Sequence, residues 1–134
     1  WHKYSSMIIF TDRRSEKIEH LKSNSNAEIL WFFSKTKSQY RFKGKISELS
    51  DKKNYWDTLS EKSKSSWFWE SPGKKINPNL QFTNEIPSKL TMPENFVVLN
   101  FKIDSVDLLK LKQPIHKRYL WEKKYKWEKK EINP

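Results

Sequence analysis

The sequence predicts a mainly β fold with some α: an antiparallel sheet curled into a barrel, with two or more helices outside it. Three observations lead there. Residues 38–49, SQYRFKGKISEL, alternate strictly. Tyr40, Phe42, Gly44 and Ile46 fall on one face, and Gln39, Arg41, Lys43 and Lys45 on the other, the pattern of a half-exposed strand. Residues 26–34, NAEILWFFS, run apolar with little interruption, which reads as a strand buried on both sides. The polar SKTKS between the two makes a hairpin loop. Only two stretches carry helical spacing, so strands outnumber helices.

The remaining elements follow in chain order. SMIIFT (6–11) is a strand. Residues 14–23 form a short helix, in which Ile18 and Leu21 recur at helical spacing and Asp12 or Ser15 caps the start. Residues 51–69 form a longer helix, with Tyr55, Trp56, Leu59 and Ser63 along one stripe and no Gly or Pro inside it. ESPGKKINPN then breaks the pattern, and the proline-rich 71–95 is an irregular loop. FVVLNFKID (96–104) is a strand, and SVDLLKLK continues the sheet after a bend. HKRYLWEK (116–123) and YKWEKKEI (125–132) alternate and form a closing hairpin. Side chains two apart on a strand share a face, so His116 and Arg118 are expected together. No internal repeat is visible, and a single domain over 1–134 is expected.

Composition excludes several classes. With no cysteine, disulfides and thiolate metal sites are absent. His2, His20 and His116 have no ligand-like spacing, so no metal site is expected. No apolar run is long enough to span a membrane, and no secretory signal is visible, so a cytoplasmic protein is expected. The chain opens on Trp1 without an initiator methionine, which suggests a missing upstream piece. The formal charge of +11 attracts anionic partners, whether nucleic acid, anionic membrane or a phosphorylated small molecule. Seven tryptophans are too many for a disordered basic tail. They sit in core-like alternating patterns rather than beside one basic stripe, so a nucleic-acid-binding module, in which exposed rings stack on bases, is the less favoured reading.

The turn IIFTDRRSEK draws the eye. Arg13, Arg14, Ser15 and Lys17 cluster where a strand hands over to a helix. Cations there oppose the helix dipole, whereas a phosphate docks readily on the unpaired N–H groups. Arg14 offers a planar fork, Ser15 a hydroxyl and Lys17 a point charge. The alternative is that Asp12 or Ser15 simply caps the helix and the arginines are solvated.

Three segments resemble, in order, the pyridoxamine 5'-phosphate oxidase family of FMN-binding split barrels. FTDRRSEKIEHLKSNSNAEILWFF resembles the family's strand, turn, Ser-x-Lys helix start and Asn-Pro-x-Ala entry into an apolar strand, with Ser25 where proline is usual. SQYRFKGKISEL is similar to the Arg-Gln-Val-Arg-x-x-Gly strand, with Ser38 replacing the first arginine. HKRYLWEKKYKWEKKEINP resembles a His-x-Arg-Phe segment followed by Trp and a closing Leu/Ile-x-Pro. The stretch WFWESPGKKI points to a divergent FMN-binding subgroup. The family's first signature, a strand that grips FMN, would precede residue 1.

The resemblance implies an antiparallel FMN-binding split β-barrel with flanking helices and a homodimer holding FMN at its interface. Phe10 and Thr11 would line the cofactor, and Arg14, Ser15 and Lys17 would hold its phosphate. Gln39 and Arg118 would reach the flavin ring, and the Ser71–Gly73 turn would approach from the second subunit. Trp67 or Trp69 would shield it. His116 and Arg118 would be the catalytic pair, and Tyr55, Ser63 and His116 would contact a small substrate, such as a phosphorylated pyridine amine. The implied activity is oxidation of an amine or related small molecule, with hydride passing to FMN and then to oxygen. Leu59 and Pro114 stand where the family has arginines, which leaves a second reading: an FMN-binding protein or flavin reductase without pyridoxamine phosphate oxidation.

Overall fold

The computed structural model describes residues 5–79, 91–112 and 114–134. Among these residues six strands and three short helices run in the order β1 (Ser6–Asp12), α1 (Glu16–Ser23), β2 (Asn26–Phe33), β3 (Ser38–Glu48), α2 (Lys53–Thr58), α3 (Glu61–Ser65), β4 (Phe96–Lys110), β5 (Lys117–Glu122) and β6 (Lys130–Ile132). The sheet order is β2-β3-β4-β5-β6, with β1 also pairing with β4. The β2–β3, β4–β5 and β5–β6 ladders are antiparallel. The expected strand-rich antiparallel sheet with flanking helices is therefore present. The irregular loop expected over 71–95 falls partly at 80–90, and His2 at the start of the chain; both lie outside the described residues.

The chain divides into two compact units. One comprises residues 1–7, 25–46 and 101–134, and the other residues 8–24 and 47–100. In the first, Phe42, Phe101, Ile103, Val106, Leu108 and Tyr119 are buried. Alternation along β3 predicts the burial of Phe42, and Gly44 is buried beside it. In the second, Trp56, Phe96 and Val98 form a core on which Leu49, Tyr55, Leu59 and Trp67 pack. Trp56 and Trp67 meet the Phe96 ring edge-on, with centroids 5.1 and 4.9 Å away, the arrangement favoured by ring quadrupoles.

Four expectations are corrected. The helix over 51–69 is broken: Leu59 is extended (φ −73°, ψ 142°) and α3 restarts after Ser60. The Ser60 hydroxyl accepts the Ser63 N–H, and such a local cap offers the backbone an alternative to helix continuation. β2 is not buried on both sides. It ends the sheet order, and Leu30, Trp31, Phe32 and Phe33 are exposed. β4 is one continuous strand of 15 residues through Lys110. The strand expected over 125–132 shrinks to Lys130–Ile132, and β5 begins at Lys117, so His116 precedes the strand.

Between β5 and β6 the chain makes a 3-10 turn (Lys123–Tyr125), followed by two residues in the left-handed region, Lys126 (φ 52°) and Trp127 (φ 63°). A side chain there costs on the order of 1 kcal/mol, and Asn tolerates it better than Lys. Lys126→Asn is expected to raise stability by about 0.5 kcal/mol, read as a higher urea midpoint at unchanged slope.

Candidate functional site

Alternation along β3 puts Gln39 and Arg41 on the face opposite Phe42 and Gly44. Their cross-strand partners on β2 are Phe32 and Leu30, both exposed. Glu28, on the same face, accepts from Arg41 Nε at 3.1 Å and lies 3.6 Å from Lys43 Nζ. Further along the sheet order, β4 and β5 pair Leu109 with Arg118 and Asp107 with Leu120. Asp107 and Arg118 are therefore diagonal neighbours on one face, within reach of long side chains. Arg118 donates from Nε to both Asp107 oxygens (3.0 and 3.2 Å) and from Nη2 to Oδ2 (2.7 Å). The bonds to Asp107, and then its charge, hold this guanidinium more firmly protonated than usual. Gln39, Arg41, Asp107, Leu109 and Arg118 together line one open cavity of about 170 Å³.

The second unit carries the turn after β1. Thr11 and Asp12 are buried, and the Asp12 carboxylate collects four donors. Arg14 gives its backbone N–H (2.7 Å), Nε (2.9 Å) and Nη2 (2.7 Å), and Asn95 gives Nδ2 (2.8 Å). Burial pushes this carboxyl up, but the bonds from Arg14 and Asn95 outweigh it, and the net shift is downward. Arg14 is held more firmly protonated in return, mainly by its side-chain bond to Asp12. Nη2 of Arg14 also reaches the Trp69 carbonyl (3.1 Å), and Asn95 the Trp67 carbonyl (2.9 Å). Arg13 is paired with Glu48, which also binds Lys52 at 2.8 Å.

Both arginines at this turn thus have carboxylate partners, a resolution of their crowding that needs no bound anion. Asp12 turns out to bond the Arg14 N–H rather than to cap α1. Ser15 holds the N-cap position without a side-chain cap bond. Its hydroxyl lies 3.5 Å from Lys17 Nζ, so these two are brought together at the helix start. Glu16 and Glu19 in the first turn complement the helix dipole.

The other expected site residues are placed as follows. Phe10 packs its ring on Tyr55 (6.0 Å) and Phe96 (5.5 Å). Ser63 spends its N–H and hydroxyl on Ser60. Tyr55 and Ser63 lie on separate helices rather than on one stripe. Ser71 accepts the Lys74 N–H in a turn where Gly73 has φ +81°. His116 is exposed. Asp107, Asn95 and Glu48 were not anticipated; only Asp107 leaves a trace in the sequence, as a lone acid inside the apolar VDLL.

The family model described as "Pyridoxamine 5'-phosphate oxidase, FMN-binding domain" matches residues 2–50. A curated relative, pyridoxine/pyridoxamine 5'-phosphate oxidase 2 of Arabidopsis thaliana, is 34% identical over 118 residues; the match covers 78% of this chain and 58% of the relative. Among solved structures, a pyridoxamine 5'-phosphate oxidase-related, FMN-binding protein of Nostoc punctiforme superposes with a TM-score of 0.82 at 24% identity, over all of this chain and 76% of its own. PhzG of Burkholderia lata, solved with tetrahydrophenazine-1-carboxylic acid, gives 0.74 at 16% identity, over 95% of this chain and 68% of its own. Fold and sequence agree on a split barrel of antiparallel strands. In sequence and fold the chain resembles pyridoxamine 5'-phosphate oxidases, and FMN is the cofactor that the matched domain family binds.

The donor set of the first unit suits the ring of that cofactor. A flavin presents carbonyls and ring nitrogens on one edge and a phosphate at the end of its chain. The cavity offers an amide (Gln39), two guanidinium groups (Arg41, Arg118) and an apolar wall (Leu109). In the second unit, taken by itself, Ser15 and Lys17 place a hydroxyl and an ammonium at a helix start, where a phosphate docks readily. The cavity volume is below the roughly 300 Å³ at which ligand pockets begin, a size that would suit a ring edge and not a whole ring system.

Proposed function

We propose that this chain is the FMN-binding domain of a flavin-dependent oxidoreductase that oxidises an amine or a related small molecule. The observation that carries this reading is the meeting of Gln39 and Arg118 on one cavity, two residues separated by most of the chain that the family resemblance assigns to the flavin ring. When bound, FMN supplies hydride acceptance from the substrate and reoxidation by dioxygen. The chain's own residues supply binding and charge. Gln39 hydrogen-bonds the ring edge, and Arg118 places positive charge beside it. Phe10 and Thr11 line the cofactor. Ser15 and Lys17, together with Nη1 of Arg14, grip the phosphate, and the Ser71 turn approaches it. His116, with Tyr55 and Ser63, orients the substrate. The small, open cavity fits a site completed by a second copy of the chain, and a cytoplasmic setting with a single domain belongs to the same proposal.

A second reading, FMN binding or flavin reduction without amine oxidation, draws support from Ser63. Its hydroxyl and N–H are both engaged by Ser60, so it does not stand ready for a substrate phosphate. The test is an anaerobic panel on FMN-loaded protein. Bleaching of the flavin by an amine, with peroxide released on readmitting air, supports the oxidase. Bleaching by a reduced nicotinamide alone supports the second reading.

A further inference from the structure

Arg118 is the one cavity residue held by a two-point clamp. Asp107 accepts from its Nε and Nη2, and its carboxylate is only 14% exposed while the arginine side chain is 34% exposed. A free arginine side chain loses rotamer freedom when it binds a ligand, so a partner that fixes it beforehand saves that cost. The same partner brings a negative charge to the wall on which Arg118 acts. We propose that Asp107 is a positioning residue that sets both the place and the effective charge of Arg118 toward the flavin ring; this rests on the FMN reading above.

Two consequences follow. Without the clamp, Arg118 must be ordered by FMN itself, and affinity falls. Without the counter-charge, Arg118 stabilises the electron-rich reduced ring more strongly, and reduction becomes easier. Asp107→Ala removes both functions, whereas Asp107→Asn keeps the size and one acceptor oxygen but removes the charge. Asp107→Glu keeps the charge on a longer arm. Because Asp107 acts through Arg118, its substitution has no further effect once Arg118 is gone.

The experiment measures FMN affinity by fluorescence titration and the flavin midpoint potential by dye equilibration. The proteins are the wild-type chain, Asp107→Ala, Asp107→Asn, Asp107→Glu, Arg118→Ala and the double variant Asp107→Asn/Arg118→Ala. Asp107→Ala is expected to bind FMN about ten-fold more weakly. Asp107→Asn is expected to favour the reduced flavin about ten-fold, about 30 mV upward for a two-electron couple, with Asp107→Glu returning near the wild-type potential. The double variant should match Arg118→Ala. A role confined to stability would lower the melting temperature and leave the potential unmoved, and that result, in a wild-type chain that binds FMN, would overturn the proposal. A shift of potential that persists in the Arg118→Ala background would overturn it too. If the wild-type chain binds no FMN, the reading beneath the proposal fails, and the proposal with it.

Discussion

Gly44→Ala is expected to destabilise the protein by about 3 kcal/mol or more, the upper end of what overpacking costs. A Cβ built on Gly44 would lie 2.0 Å from the Lys102 carbonyl oxygen, 2.9 Å from its carbon and 3.1 Å from the Ile103 Cα. All three are backbone atoms of β4, so no rotamer change relieves the clash. β3 would have to part from β4 locally, at the strand that carries Gln39 and Arg41 and beside the buried Phe42 and Ile103. Gly44 also faces Ala27 on β2, so a shift would propagate to the neighbouring ladder. Urea unfolding of the variant checks this. A loss under about 1 kcal/mol would mean that β3 and β4 stand further apart than described. The glycine of the QYRFKG segment is thus required by close approach of two strands.

Asp12→Ala is expected to cost about 2–3 kcal/mol, because it strands several donors at once. The Arg14 backbone N–H, Nε and Nη2 and the Asn95 amide all lose their acceptor. The figure stays below that of a fully buried pair because the Arg14 side chain is 36% exposed and water can reach it. The effect carries a pH signature. Asp12 has its carboxyl lowered by folding from the ordinary 3.8. Its stabilisation is therefore complete above the unfolded value and is lost as pH falls through the folded one. The gap in unfolding free energy between wild type and Asp12→Ala should be full at neutral pH and shrink below about pH 4. A gap that stays constant down to strongly acid pH would show that the carboxylate's charge contributes nothing.

What the sequence disclosed depended on whether an interaction was local. β3 was legible residue by residue because a half-exposed strand writes its two faces with period two. β2 misled for the converse reason. Its apolar run suggested burial on both sides, yet burial depends on neighbours, and among the described residues β2 pairs with β3 alone, at the end of the sheet order. The helix over 51–69 was overdrawn because apolar spacing continues through Leu59 while the backbone does not; the Ser60 cap competes at a level that periodicity does not sense. At the candidate site, Gln39 and Arg118 stand out by the polar faces of their strands and by resemblance, but no local pattern shows that they line one cavity. Asp107 was missed because its bond to Arg118 is set by the β4–β5 register, and the Asp12–Asn95 bond spans 83 residues. The basic turn reads as a request for a phosphate; Asp12, two residues from Arg14, is in view there but as a helix cap, and Glu48, which answers Arg13, lies 35 residues away.

The most direct measurement is titration of FMN with the purified 134-residue chain, following the quenching of flavin fluorescence, with Arg118→Ala alongside. Saturable quenching by the wild-type chain, weakened in the variant, is the expected result. Unchanged flavin fluorescence at saturating protein, together with a colourless protein as purified, would contradict the reading of this barrel as an FMN site.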